Sequence, residues 1–198
     1  MWYNISDRNY YFKWKVSNND IWLVFKTILI PYDGSNMSNK ALDHTVEIAR
    51  LIKDSKIIII HVIPEIPTPI FSKEVRSPKT GVVITFLEYM VSLYQEIESE
   101  MREKLERKIE KYSKHSLDIE IYTTIGKPAD KILDYATEKK VDLIVIGSIG
   151  VSEISKFFKG LGSVSRNVSE KVSCPVLIVR WVSDTSQIDI IIHNNNFT

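Results

Sequence analysis

The sequence predicts an α/β fold: a single doubly wound, Rossmann-like domain with five parallel strands and helices on both faces. Three observations carry this prediction. Short runs rich in Ile and Val recur between residues 27 and 180, and most are apolar on both faces, as strands beneath helices must be. The segments between them repeat apolar residues at helical spacing. Strand and helix alternate in order, which argues for parallel pairing through right-handed crossovers.

Residues 1–25 stand apart, holding Trp2, Trp14 and Trp22 with no clear period. They are read as a poorly ordered N-terminal extension, with an aromatic partner-binding arm as the alternative. The regular pattern starts at Lys26. Ile28, Leu29 and Ile30 form the first strand, closed by the turn residues Asp33, Gly34 and Ser35. Asn36 or Ser38 is expected to cap a helix carrying Leu42, Val46, Ala49 and Ile52. Residues 57–63 are a second strand, and the prolines at 64, 67, 69 and 78 then mark a loop.

A long helix is expected next, its stripe running through Val83, Leu87, Met90, Tyr94, Ile97, Met101, Leu105, Ile109 and Tyr112. Residues 117–122 alternate apolar and polar, the pattern of an edge strand with one wet face. Pro128 suits the first turn of a helix carrying Ile132, Leu133 and Ala136. Residues 141–146 are a buried strand. A helix over about 163–173 follows, then a last strand from Val176 to Arg180. The domain is placed at 26–182 and a C-terminal tail at 183–198.

Twenty-six Lys+Arg balance 25 Asp+Glu, leaving a net charge of +1. That balance argues against non-specific nucleic-acid binding, which needs a basic face. No apolar run reaches the roughly 20 residues a bilayer span requires. Residues 1–25 lack the apolar core of a signal peptide. The expectations are therefore no nucleic acid, no membrane and a cytoplasmic location. Cys174 is the one cysteine, expected buried and inert. His61 lies in an apolar strand and reads as a satisfied core residue rather than a base. No metal-ligand spacing, phosphate-loop lysine or nucleophile elbow is present, so neither a catalytic residue nor a metal site is expected.

Ligands of doubly wound sheets sit beyond the carboxyl ends of the strands, where the strand order reverses. That rule directs attention to Asp33 and Gly147. Gly147, Gly150, Gly160 and Gly162 fall within sixteen residues, and Gly162-Ser163 opens a helix. Glycines and a helix N-terminus together offer backbone N–H groups to an anion. The hydroxyls of Ser163 and Ser165 can bond phosphate oxygens. A bulky side chain at Gly147 is expected to block the approach of a ligand to the backbone. Two readings stand here: an anion cradle, or glycines that only shape turns with Ser163 as a cap. Asp33 can accept a hydrogen bond from a ribose, or merely form an Asp-Gly turn. Val62 can offer apolar surface to a base, or be an ordinary core valine.

Three segments resemble the universal stress protein family: Ile28 through Ser35, Val141 through Gly150, and Gly162 through Arg180. The resemblance covers about residues 26–182. It implies strand order 3-2-1-4-5 and, in one branch of the family, bound ATP held by the motif G-x2-G-x9-G-[ST]. By residue matching, the resemblance assigns Gly147, Gly150, Gly162, Ser163, Val164 and Ser165 to the phosphates and ribose. It assigns Pro31, Asp33, Val62 and Ile146 to the base and ribose. One departure is visible: eleven residues, not nine, separate Gly150 from Gly162. The two extra residues lengthen the loop ahead of the helix, which is expected to order on ATP.

The function expected from the resemblance is an ATP-binding stress-response or signalling module, with Mg²⁺ held through phosphates and an unknown protein partner. A nucleotide-free dimeric scaffold is the alternative, and a slow ATPase a further one. A homodimer through the bare strand at 176–182 is expected, with Val82, Phe86, Val91 and Leu93 as a second surface.

Overall fold

The computed structural model describes residues 12–16, 19–23, 25–52, 54–67, 74–112, 117–150, 161–181 and 188–193. Its centre is a six-stranded sheet. Five strands are parallel: β3 (Thr27–Pro31), β4 (Lys56–Ile63), β7 (Asp118–Ile125), β8 (Leu143–Gly147) and β9 (Val176–Trp181). The sheet order is β10-β9-β8-β3-β4-β7. Counted along the domain, β7-β4-β3-β8-β9 is the order 3-2-1-4-5 that the resemblance implies.

Each strand lies where its apolar run predicts, because both faces of the sheet are covered. Ile28, Ile30, Ile57, Ile59, Val145, Leu177 and Val179 face one core, with α1 (Asn36–Leu51) and α2 (Phe86–Glu110) over it. Leu29, Ile58, Ile60, Ile144, Ile146 and Ile178 face the other, beneath α3 (Pro128–Glu138) and α4 (Ser163–Lys171). β7 ends the sheet, and its Tyr122 is exposed, as an edge strand with a wet face requires.

Local chemistry sets the helix starts. α1 is capped by Ser35, one residue before the expected Asn36, because the Ser35 backbone is extended (φ −66°, ψ 162°) and its hydroxyl accepts from the Ser38 N–H at 3.1 Å. The preceding Gly34 sits at φ +81°, a conformation that costs glycine little. The long helix begins later than its stripe suggests. Thr85 and Glu88 form a capping box that fixes the start at Phe86. Val83 instead belongs to a short hairpin of β5 (Glu74–Arg76) and β6 (Val83–Thr85), within what the sequence reads as loop and helix. Leu87, assigned above to the buried stripe, is 73% exposed. Only Met90 and Leu105 of this helix are fully buried. Of the second surface expected for a dimer, Val82 and Val91 are exposed, while Phe86 and Leu93 are partly covered.

Strands occur near both chain ends as well. β1 (Phe12–Val16) and β2 (Asn19–Leu23) pair antiparallel as a two-stranded sheet separate from the central one. The residues read as a tail contain β10 (Ile188–His193), which pairs antiparallel with the whole of β9, from Ile188 opposite Trp181 to His193 opposite Val176. The edge of β9 expected to meet a second copy is therefore taken by the chain's own strand. The apolar content of residues 188–193 explains it, since an apolar edge strand left bare exposes unpaired N–H and C=O groups.

Phe25 is 5% exposed and packs in the α1–α2 core, so the domain starts one residue before Lys26. A chain beginning at Val24 keeps Phe25 and every strand of the central sheet. Its melting temperature is expected within a few degrees of the full chain's by circular dichroism.

Candidate functional site

β3 lies between β4 and β8, so the chain moves outward from it in both directions. The crevice at this reversal opens at the carboxyl ends of the three strands. There the structure forms a cleft of about 680 Å³, within the range of small-molecule sites. All ten residues singled out above line it: Pro31, Asp33, Val62, Ile146, Gly147, Gly150, Gly162, Ser163, Val164 and Ser165. The sequence did not point to Ser35 and Ser38 of the α1 start, to Pro128 and Ile132 of α3, or to Leu161 and Arg166.

One end of the cleft is apolar, walled by Pro31, Ile60, Val62, Ile132 and Ile146. Asp33 stands at the strand end beside it, where its Oδ1 accepts from the Ser35 N–H at 3.0 Å. Gly150 passes so close to this carboxylate that a Cβ there would sit 2.6 Å from Asp33 Oδ2. The glycine thus lets the loop after β8 lie against Asp33. His61 is 7% exposed, and its Nδ1 lies 2.8 Å from the Tyr32 carbonyl. A carbonyl only accepts, so Nδ1 carries the proton. The Tyr32 hydroxyl donates to Asn39 Oδ1 at 2.8 Å. Its pKa is raised by burial first and by the nearby Asp33 and Asp43 charges next.

The other end is built by Ser148 and α4. The Ser148 N–H donates to the Val179 carbonyl at 2.8 Å, tying the loop to β9. The Ser148 carbonyl accepts from the Gly162 N–H at 2.7 Å and from Ser165 Oγ at 2.9 Å. Ser165 Oγ also lies 3.0 Å from the Gly162 carbonyl. A hydroxyl has one proton, and both neighbours here are acceptors. The Ser165 hydroxyl is therefore a buried clasp that fixes the start of α4 in this arrangement, which leaves its backbone N–H as the group that can meet a phosphate.

α4 opens at Gly162 without any side-chain cap. The N–H groups of Ser163, Val164 and Ser165 are first-turn donors with no partner inside the helix. The contrast with α1 and α2 is direct, since both of those helices carry side-chain caps. Ser163 is exposed in the cleft, its hydroxyl unbonded among the described residues.

Gly147 has a second role besides the one its sequence suggests. A Cβ on it would lie 2.7 Å from Met37 Cβ, 2.8 Å from the Met37 carbonyl carbon and 3.0 Å from the Ser38 nitrogen. Its missing side chain makes room for the first turn of α1, not only for a ligand. The expected Phe157–Phe158 anchor, Lys156, Lys159 and most of the lengthened loop lie outside the described residues. Leu161, however, packs on the α3–α4 core and lines the cleft. Removing Gly160 and Leu161 to restore the nine-residue spacing would therefore cost packing as well as loop length.

Among the described residues, no group of three or more His, Cys, Asp or Glu side chains is placed to hold a metal, and no helix is long and apolar enough to cross a membrane. Cys174 is half-buried, and burial pushes its thiol up to about 11. An unfolded cysteine titrates near 8.5. Above that pH the folded chain holds a proton that the unfolded chain has released, so stability falls between roughly pH 8.5 and 11. The melting temperature is expected to drop by several degrees from pH 8 to 10, and by less in Cys174→Ala.

Known proteins share this architecture. The model of the Universal stress protein family matches residues 25–180. Universal stress protein YxiE of Bacillus subtilis is 37% identical over 157 residues, covering 79% of this chain and 100% of its own. The solved structure of MJ0577, a universal stress protein of Methanocaldococcus jannaschii, superposes with a TM-score of 0.64 at 27% identity, covering 81% of this chain and 99% of its own. A universal stress protein solved in complex with cAMP superposes with a TM-score of 0.51 at 27% identity, covering 79% of this chain and 98% of its own. The match runs through β3, the cleft and β9 and stops before β10; this chain belongs to the universal stress protein family.

Proposed function

We propose that the cleft binds ATP and that the chain is a nucleotide-dependent stress-response or signalling module, working in the cytoplasm through a protein partner. The observation that carries this reading is the uncapped start of α4. Three backbone donors and the Ser163 hydroxyl line the same cleft as an apolar pocket and the Asp33 carboxylate. A helix N-terminus with unpaired N–H groups favours an anion through both hydrogen bonding and its dipole. The apolar walls suit a flat base, and Asp33, an acceptor, suits ribose hydroxyls. A similar protein was solved in complex with cAMP, which supports an adenine nucleotide as the ligand. Asp33 is the only carboxylate lining the cleft among the described residues, so Mg²⁺ in this reading rides on phosphate oxygens and water, its usual habit.

Ser163→Pro tests the reading without disturbing the fold. Proline is favoured at the first helical position, and Gly162 before it already has the extended backbone (φ −65°, ψ 163°) that a following proline requires. The change deletes one N–H and one hydroxyl from the cradle and nothing from the core. ATP affinity by calorimetry is expected to fall about tenfold or more, with the melting temperature kept within a few degrees. Undiminished ATP binding would place the phosphates elsewhere. Folded protein that binds no adenine nucleotide in either form would favour a nucleotide-free scaffold.

A further inference from the structure

Asp33 and Arg166 are the only Asp, Glu, Lys or Arg side chains among the described residues that line the cleft. They stand on different elements: Asp33 follows β3, and Arg166 is the fourth residue of α4. The other arginines among the described residues have partners. Arg50, Arg102 and Arg107 pair with Glu47, Glu106 and Glu103, and Arg76 donates to the Gly81 carbonyl at 2.8 Å. No ion pair or side-chain hydrogen bond holds the Arg166 guanidinium among the described residues. Glu170 lies one turn on, at the spacing by which Arg102 reaches Glu106, yet the two are not joined.

Helix geometry directs this cation toward the cradle. Residues three apart share a helix face, so Arg166 lies on the face of Ser163. Side chains on a helix lean toward its N-terminus, here the end where the donors are unpaired. A long side chain starting one turn in reaches past the first-turn N–H groups, which hold only the phosphate nearest to them. A guanidinium presents a fork of donors that fits phosphate oxygens in pairs.

We infer that Arg166 reads the length of the phosphate chain, selecting adenosine di- and triphosphates over the monophosphate and over cyclic AMP. This rests on the adenine-nucleotide reading of the cleft and adds the part of the ligand that decides affinity. The backbone cradle engages any nucleotide phosphate, whereas Arg166 engages only those extending beyond it. Because the side chain is exposed and has no partner among the described residues, its removal is expected to leave the fold intact.

The test is a set of calorimetric titrations on the full chain, using ATP, ADP, AMP, cyclic AMP and adenosine, for the wild type, Arg166→Gln and Arg166→Lys. The wild type is expected to prefer ATP and ADP. Arg166→Gln should weaken ATP about tenfold, change AMP and cyclic AMP less than about twofold, leave adenosine unchanged and abolish most of the preference. Arg166→Lys should recover only part of it, since an ammonium lacks the fork. Equal weakening of ATP and adenosine would show a general disturbance of the cleft and overturn the inference. Wild-type binding of ATP that survives in Arg166→Gln would also overturn it while leaving the ATP reading standing. A wild-type chain that binds none of the five ligands would overturn both.

Discussion

Gly147→Val is expected to lose most of the folded protein rather than only its ligand. The new Cβ would fall within 2.7–3.0 Å of Met37 and the Ser38 nitrogen, and two of those three atoms are backbone. These atoms belong to the first turn of α1, which the Ser35 cap holds and the buried Ser38 anchors. No flexible side-chain end is available to move aside, so α1 must shift away from β8. Overpacking of this kind costs about 1–3 kcal/mol, and a β-branched residue with two further methyl groups costs more. A loss of roughly 3 kcal/mol or more is expected, read as a fall of about 6–12 °C in melting temperature or as insoluble protein. Gly162→Ala provides the contrast, since its nearest neighbours lie at 3.3–3.7 Å and its melting temperature should hold. A Gly147→Val chain that melts like the wild type would show that α1 is not seated against β8 as described.

Ending the chain at Val182 is expected to turn a well-behaved protein into a self-associating one. Without β10, the six residues of β9 lose their antiparallel partner along the whole strand. Val176, Leu177, Ile178 and Val179 are 0–2% exposed, apolar toward both cores. An edge this apolar, with a free row of N–H and C=O groups, is a template for another chain. Sedimentation of the shortened chain should show dimers or larger species at concentrations where the full chain gives a smaller one. A shortened chain with unchanged sedimentation and melting temperature would mean that β10 protects nothing.

These two results mark where local sequence stops being informative. The five parallel strands were legible because burial on both faces leaves a long unbroken apolar run, as at residues 57–60. The cleft residues were legible for a related reason: they sit at strand ends and at glycines, which punctuate the sequence. β5 and β6 were not, because three residues are too few to establish a period. β10 has a clear apolar run, but its partner is a matter of three-dimensional proximity, and a run beyond the domain reads as a tail. The atoms that require a glycine at 147 lie 110 residues upstream, on α1. Ser165 matches a phosphate-contact position by sequence, yet the Ser148 carbonyl that takes its proton is brought near only by the loop after β8. Arg166 gave no signal because nothing in a helical heptad says which exposed cation overlooks a cleft.

In the function proposed above, an adenine nucleotide fills the cleft with its phosphates on the open start of α4. Native mass spectrometry of the full chain, purified without added nucleotide and then titrated with ATP and Mg²⁺, tests it most directly. One adenine nucleotide per chain is expected, retained from purification or acquired on titration, and lost in Ser163→Pro while that variant stays folded. A folded chain that remains ligand-free at millimolar ATP, or a Ser163→Pro chain that keeps its nucleotide, would contradict it.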